Sequence, residues 1–243
     1  RQLGHVLAPI RDTHMLLEAI DRLGRYADGS PFGEAVGPVR DALHARHPPH
    51  PLSEEVLGAV VPELQAIAEE LDTHLSALRA DRGAAGCDRV LRRSIQAGLR
   101  RQLRRARGAF ALAYSAQTDS HFHDWRKRVK DVYYAACLLH PTRPQKLGPL
   151  VDSLDQLSEA LGDEHDLGIL ATRLHSDPLG GVVAVALTLQ LIARRREALR
   201  AECRTHGLWL GKRGPQALSR FLCRGLSPKR RSRQAARSTQ TPG

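Results

Sequence analysis

The stretch Phe122-His-Asp-Trp-Arg-Lys-Arg-Val-Lys130 holds the side chains best placed to do chemistry. On a helix, His123, Arg126, Lys127 and Lys130 fall at i, i+3, i+4 and i+7, so they stack into one column of positive charge. Like charges at these spacings cost an isolated helix roughly a few tenths of a kcal/mol per pair. A column that disfavours its own helix points to an anionic partner that offsets the repulsion. The chemistry is binding rather than bond-making: arginine offers a planar fork of donors to an oxyanion and lysine a point charge. Histidine adds a donor, a charged one once protonated. A lone histidine is more often a packing residue. The position of His123 within the column favours an anion contact. On the opposite side Phe122, Trp125, Val129, Val132, Ala136 and Leu139 recur at the spacing of a buried stripe.

A second cationic face lies upstream. Arg93, Arg100, Arg104 and Arg107 share one side of a helical segment, with Arg101 and Arg105 beside it, opposite Ile95, Leu99, Leu103 and Phe110. Arginines on a helix are usually a solvated face. Here residues 89 to 130 hold twelve Arg or Lys against only Asp119 and Asp124, which favours an anion site. If the two segments pack side by side, their basic faces flank one groove.

Two further clusters invite sharper readings. His165 and Asp166 follow Asp163 and Glu164, and carboxylates there suit either catalysis or Mg²⁺ held with phosphate. Neighbours in sequence point different ways round a helix. A hydrogen bond or ion pair from His165 or Asp166 to the basic helix, fixing its angle, is therefore the preferred role. His44, His47 and His50 recur every three residues in a Pro-rich loop, without converging Cys or acids, and read as a chance cluster rather than a zinc site. No Gly-rich phosphate loop, G-x-S-x-G or H-E-x-x-H is present. The expectation is a protein with no catalytic residue, no metal and no cofactor: a binder, not an enzyme.

The elements that must position these residues read as helices throughout. Leu and Ala dominate, aromatics make up 4%, and no segment alternates with period two. Helical periodicity runs over Leu3–Leu23, Glu54–Leu78, Arg89–Tyr114, His121–Leu139, Lys146–Leu174 and Val182–Cys203, with short helices over Glu34–His44 and Pro215–Leu222. The stripe of the second contains Leu57, Val60, Val61, Leu64, Ile67, Leu71, Leu75 and Leu78, with Ser53 as its cap and a kink at Pro62. Gly29–Pro51, Gly83–Gly86 and Pro141–Pro144 read as loops. Tyr133 and Tyr134 belong to the core or a groove wall, their hydroxyls needing partners. Cys87, Cys137, Cys203 and Cys223 are widely spaced, as in a cytosolic protein with reduced thiols. The longest apolar stretch, Val182–Ala193, is too short to cross a bilayer, so no membrane partner is expected. The formal charge is +11, and the segment from Arg224 to Gly243 contributes six cations and no acid, reading as a basic disordered tail over 223–243.

One internal repeat organises the chain. Leu7-Ala-Pro-Ile-Arg-Asp-Thr-His-Met-Leu16 aligns without gaps on Leu161-Gly-Asp-Glu-His-Asp-Leu-Gly-Ile-Leu170. A basic helix precedes the second copy but only six residues precede the first, and residue 1 is Arg rather than Met. The first unit is therefore expected to be N-terminally truncated, lacking its own basic helix.

These residues carry a family resemblance. Phe122 to Tyr134, with His123, Arg126, Lys127 and Lys130 followed by the pair Tyr133-Tyr134, resembles the H-x-x-R-K-x-x-K signature of the CHAD domain, the conserved histidine α-helical domain. Leu161-Gly-Asp-Glu-His-Asp-Leu167 resembles the L-G-D-x-H-D-L element that follows it in that family, and Leu7–Leu16 its weaker first copy. The resemblance covers about residues 1–222. It implies two similar four-helix units about a pseudo-two-fold axis, a first repeat near 1–80 and a second near 88–222. It also implies binding of inorganic polyphosphate by a helix-lined basic groove. His123, Arg126, Lys127, Lys130, Arg93, Arg100, Arg104 and Arg107 would contact the polymer, while His165, Asp166, Arg11 and Asp12 would position the helices. A cytoplasmic location at polyphosphate granules follows from the same likeness. Two other readings stand beside it: a nucleic-acid-binding helical protein, and an accessory domain of a CYTH-type triphosphatase. The chain departs from the pattern in lacking a first basic helix, in having Arg11 where the second copy has His165, and in its tail.

Overall fold

The computed structural model describes residues 2–30, 32–47 and 54–226. Among them are seven α-helices and no strand: α1 (Gln2–Ala27), α2 (Gly33–Arg46), α3 (Glu54–Ala116), α4 (Asp119–Leu139), α5 (Pro144–Ser176), α6 (Val182–Lys212) and α7 (Pro215–Leu222). Short 3₁₀ turns cover His140–Thr142 and Cys223–Leu226. The chain is an all-α bundle. Most helices begin and end within a few residues of the sequence periodicity, although α6 runs past Cys203 to Lys212.

The expected loop at Gly83–Gly86 is helical instead. α3 is continuous for 63 residues, with Pro62 inside it, so no break separates the two repeats. Each glycine costs a helix about 1 kcal/mol relative to alanine. Ala84 and Ala85 between them, and arginine- and leucine-rich flanks, keep the ladder intact. Of the apolar stripe in the first half of α3, Val61, Leu64, Ile67, Leu71 and Leu75 are exposed, with Leu64 at 55% and Leu71 at 60%. Among the described residues, α3 enters the core clusters only from Ile95 onward.

Two core clusters share α4 and α5. One joins Leu17, Ile20 and Leu23 of α1 and Val36, Val39 and Leu43 of α2 to Phe122, Trp125 and Val129 of α4. Leu157 to Leu174 of α5 and Val185 to Cys203 of α6 complete it. The other joins Leu99, Leu103 and Ala106 of α3, Val132, Ala136 and Leu139 of α4, Leu147, Leu150 and Leu154 of α5, and Leu218 and Leu222 of α7. Each fully buried Leu, Ile or Phe contributes about 1.5–3 kcal/mol, so α4 and α5 are held along their whole lengths. Cys223 is buried as well, so the packed chain continues past residue 222. The remaining tail positions, 227–243, lie outside the described residues, as does Ser53, the expected cap of α3.

Tight links fix the helix angles. α3 and α4 are joined by Gln117 and Thr118 alone. Gln117 takes φ +52° and donates its N–H to the Ala113 carbonyl, closing α3, while Thr118 caps α4 by accepting from the His121 N–H. Between α5 and α6, Gly180 has φ +88°, and a Cβ there would lie 2.7 Å from the backbone of Pro38 in α2. Only glycine meets both demands.

Candidate functional site

The segment Gly162-Asp-Glu-His-Asp166 of α5 directs successive side chains at three different helices. Successive residues on a helix turn by about 100°, so consecutive polar positions need separate partners. Asp163 and Asp166 face α1, where Arg22 bridges them, with Nε 3.3 Å from Asp163 Oδ1 and Nη2 3.1 Å from Asp166 Oδ2. Glu164 occupies a position in the apolar stripe of α5 and is buried to 2% exposure. It accepts from two arginines of α6: Arg196 Nη2 at 2.7 Å and Arg200 Nη2 at 2.6 Å, with both Nε atoms near the same oxygen. The same two arginines reach Asp119, in the first turn of α4, at 2.7 and 2.8 Å. Two acids and two arginines thus tie α4, α5 and α6 into a charge-balanced knot. Gly168, one turn beyond Glu164, leaves room for the Arg196 guanidinium, since a Cβ there would lie 3.0 Å from Nη2.

His165 faces α4 and stacks on His123, with ring centroids 4.3 Å apart and planes at 29°. Burial pushes the His165 imidazole down, and the nearby His123, Arg126 and Arg196 deepen the fall, to about 4. His123 is lowered by burial first and by Lys127 and Arg126 next. Both rings are therefore neutral near pH 7. Burial raises Asp119 but hydrogen bonds and charge from Arg196 and Arg200 outweigh it, so its carboxyl ends below the usual range. Burial raises Asp166, and this prevails over the lowering by Arg126 and Arg22.

The expected hydrogen bond or ion pair from His165 or Asp166 to the basic helix takes another form: Asp166 pairs with Arg22 of α1 within the field of Arg126, and His165 meets the basic helix by stacking. Arg126 passes over Gly162, whose Cβ would lie 3.9 Å from Nε and Nη2, and its Nε is buried without a partner, as is His123 Nδ1. Lys127 lies exposed with Asp124 at 3.4 Å, and Lys130 is half-buried farther along the helix. An open cleft of about 590 Å³ lies at this end of the bundle, bordered by His123, His165, Asp119 and Arg196. Asp12 is exposed on α1; Arg11 lies on the same helix with its side chain outside the described set.

The arginines of α3 lie elsewhere. α3 packs along α4, but Arg93 and Arg100 border a different cavity, against α7, and Arg107 borders a narrow one beside Gly207 and Leu218. Arg104 is exposed. The two basic faces thus open on separate cavities rather than on one. Tyr133 is half-buried, whereas Tyr134, read as core or groove wall, is 60% exposed. His44 pairs with Asp21 at 3.2 Å, and His50 lies outside the described residues. No group of three His, Cys, Asp or Glu among the described residues is arranged to hold a metal.

Sequence reasoning missed Arg22, Arg196, Arg200 and Arg220. For Glu164 a signal existed, because it falls in register with Leu154, Leu157 and Leu161, where a carboxylate demands buried cations. The i, i+4 pair Arg196 and Arg200 supplies them.

An all-α bundle whose long helices present a histidine-bearing basic column to an acid-rich motif defines the class. The family model of the CHAD domain matches residues 1–175, and the chain belongs to that family. No curated protein and no solved structure matches the chain. No described helix is long and apolar enough to cross a membrane.

Proposed function

We propose that this chain is a non-catalytic module that binds inorganic polyphosphate. The observation that carries the proposal is charge density: α3 has eight arginines from Arg89 to Arg107 with no acid between them in sequence, and it packs along the basic helix α4. Polyphosphate carries about one charge per phosphate and no bases, so dense donors along helices suit it better than a shaped pocket. His123, Arg126, Lys127 and Lys130 on α4 and Arg93, Arg100, Arg104 and Arg107 on α3 are the contacts. His165 and Asp166 hold α5 against its neighbours, and with Asp12 and Arg11 are positioning residues.

The test is equilibrium binding to long-chain polyphosphate across a salt series. Affinity should fall steeply with salt, and replacing Arg126, Lys127 and Lys130 together by Ala should abolish binding while circular dichroism is unchanged. Phosphate release from the polymer with Mg²⁺ present should stay at the level of buffer. A triple variant that binds like the parent contradicts the site; steady phosphate release contradicts the non-catalytic reading.

A further inference from the structure

Where α7 lies against α3, a cleft of about 230 Å³ is lined by Arg93, Gln96, Ala97 and Arg100 from one helix and Gln216 and Arg220 from the other. Positions 93, 96, 97 and 100 run i, i+3, i+4, i+7 along α3, and 216 and 220 run i, i+4 along α7, so each helix turns one face to the cleft. Beneath it, Leu99 and Leu103 pack with Leu218 and Leu222 in one buried cluster, which fixes the spacing of the two faces. No carboxylate lines the cleft, and none of the five polar side chains is hydrogen-bonded or ion-paired to another described residue. Three exposed arginines border the cleft without an acid, and the leucine packing beneath fixes the helices that present them.

We propose that this cleft is a distinct binding site for a short phosphate anion, pyrophosphate being the simplest example. The three arginines supply charge and paired donors to phosphoryl oxygens, and the amides of Gln96 and Gln216 add neutral donors that a polyanion also accepts. The volume lies below the range usual for drug-sized ligands, which favours a compact inorganic anion. For its class of ligand the inference rests on the polyphosphate reading, and it shares Arg93 and Arg100 with the contacts proposed there; Gln96, Gln216 and Arg220 belong to the cleft alone and none of its residues is in the α4 column, so the cleft and the column fail or succeed separately.

The test is calorimetric titration of the full chain with pyrophosphate at low salt, beside titration with long-chain polyphosphate. Arg220 is exposed, so Arg220→Ala leaves the fold intact. It should weaken pyrophosphate binding roughly tenfold or more, with Arg220→Lys in between. The Arg126, Lys127, Lys130 triple alanine variant should lose the long polymer and keep pyrophosphate. Absence of pyrophosphate binding by the parent, or equal affinity in Arg220→Ala, overturns the cleft whatever the polymer does. Pyrophosphate binding that depends on Arg220, without any polymer binding, sustains the cleft and overturns the polymer proposal.

Discussion

Glu164 is the residue on which the arrangement of α4, α5 and α6 turns. A buried carboxylate is tolerable only when paired and hydrogen-bonded, and Arg196, Arg200 and the shared acid Asp119 meet that condition. The neighbouring imidazoles make a testable contribution to stability. His165 and His123 both have folded-state pKa values below those of the unfolded chain. The unfolded state therefore takes up protons first as pH falls. Their contribution is intact above about pH 6.5 and is lost as pH falls below it, that of His165 progressively toward about pH 4. The charges that set it are Arg126 and Lys127 of α4, Arg196 of α6 and, in opposition, Asp119 and Asp124. Thermal midpoints recorded from pH 7.5 to 4 should fall across this window, and His165→Gln should flatten the fall. An unchanged slope in that variant assigns the pH dependence to other groups. At this scale the sequence was half legible. The column from His123 to Lys130 is visible because its members lie within eight positions. The partners of Asp166 and Glu164, Arg22 and Arg196, stand 144 and 32 residues away, where periodicity has nothing to say.

Among the elements, α4 and α5 form the spine, with α3 packed along α4 and α6 along α5. Phe110, Tyr114, Phe122 and Trp125 form a cluster of tilted and edge-on rings with centroids 5.0 to 6.3 Å apart. Tyr114 donates its hydroxyl proton to the Arg200 carbonyl at 2.6 Å, tying α3 to α6, and burial raises its pKa. Gly207 of α6 lies directly on these rings, because a Cβ there would stand 2.5 Å from Phe110 and 3.0 Å from Trp125. Gly207→Ala should therefore destabilise by about 1–3 kcal/mol despite its better helix propensity. Chemical denaturation measures it; a stabilised variant would contradict this packing. The apolar stripes of α4 and α5 are plain in the sequence, since each is periodic and buried. α3 was misread because Gly83 and Gly86 look like punctuation. Whether a glycine ends a helix depends on what its backbone would bond to instead, which the local sequence does not state.

Over the whole molecule, cations and acids are sorted by helix. Asp163, Glu164 and Asp166 of α5 are matched by Arg22, Arg196 and Arg200, so the charges around that motif are close to balanced. The arginines from Arg89 to Arg107 have no acid within their own segment and stay largely exposed on the flank of α3. A field of that kind draws any polyanion, with affinity that falls as salt rises. What separates polyphosphate from nucleic acid is the means of reading it. Stacking on bases needs exposed aromatic rings; Phe110, Phe122 and Trp125 are turned into the core cluster, which leaves Tyr26 and Tyr134 as the largely exposed rings among the described residues. The direct measurement is competition: the protein is saturated with fluorescent duplex DNA at low salt and titrated with long-chain polyphosphate or with unlabelled DNA at matched phosphate concentration. Polyphosphate should displace the label at the lower concentration, and a lower displacing concentration for DNA would contradict the assignment of polyphosphate as the ligand.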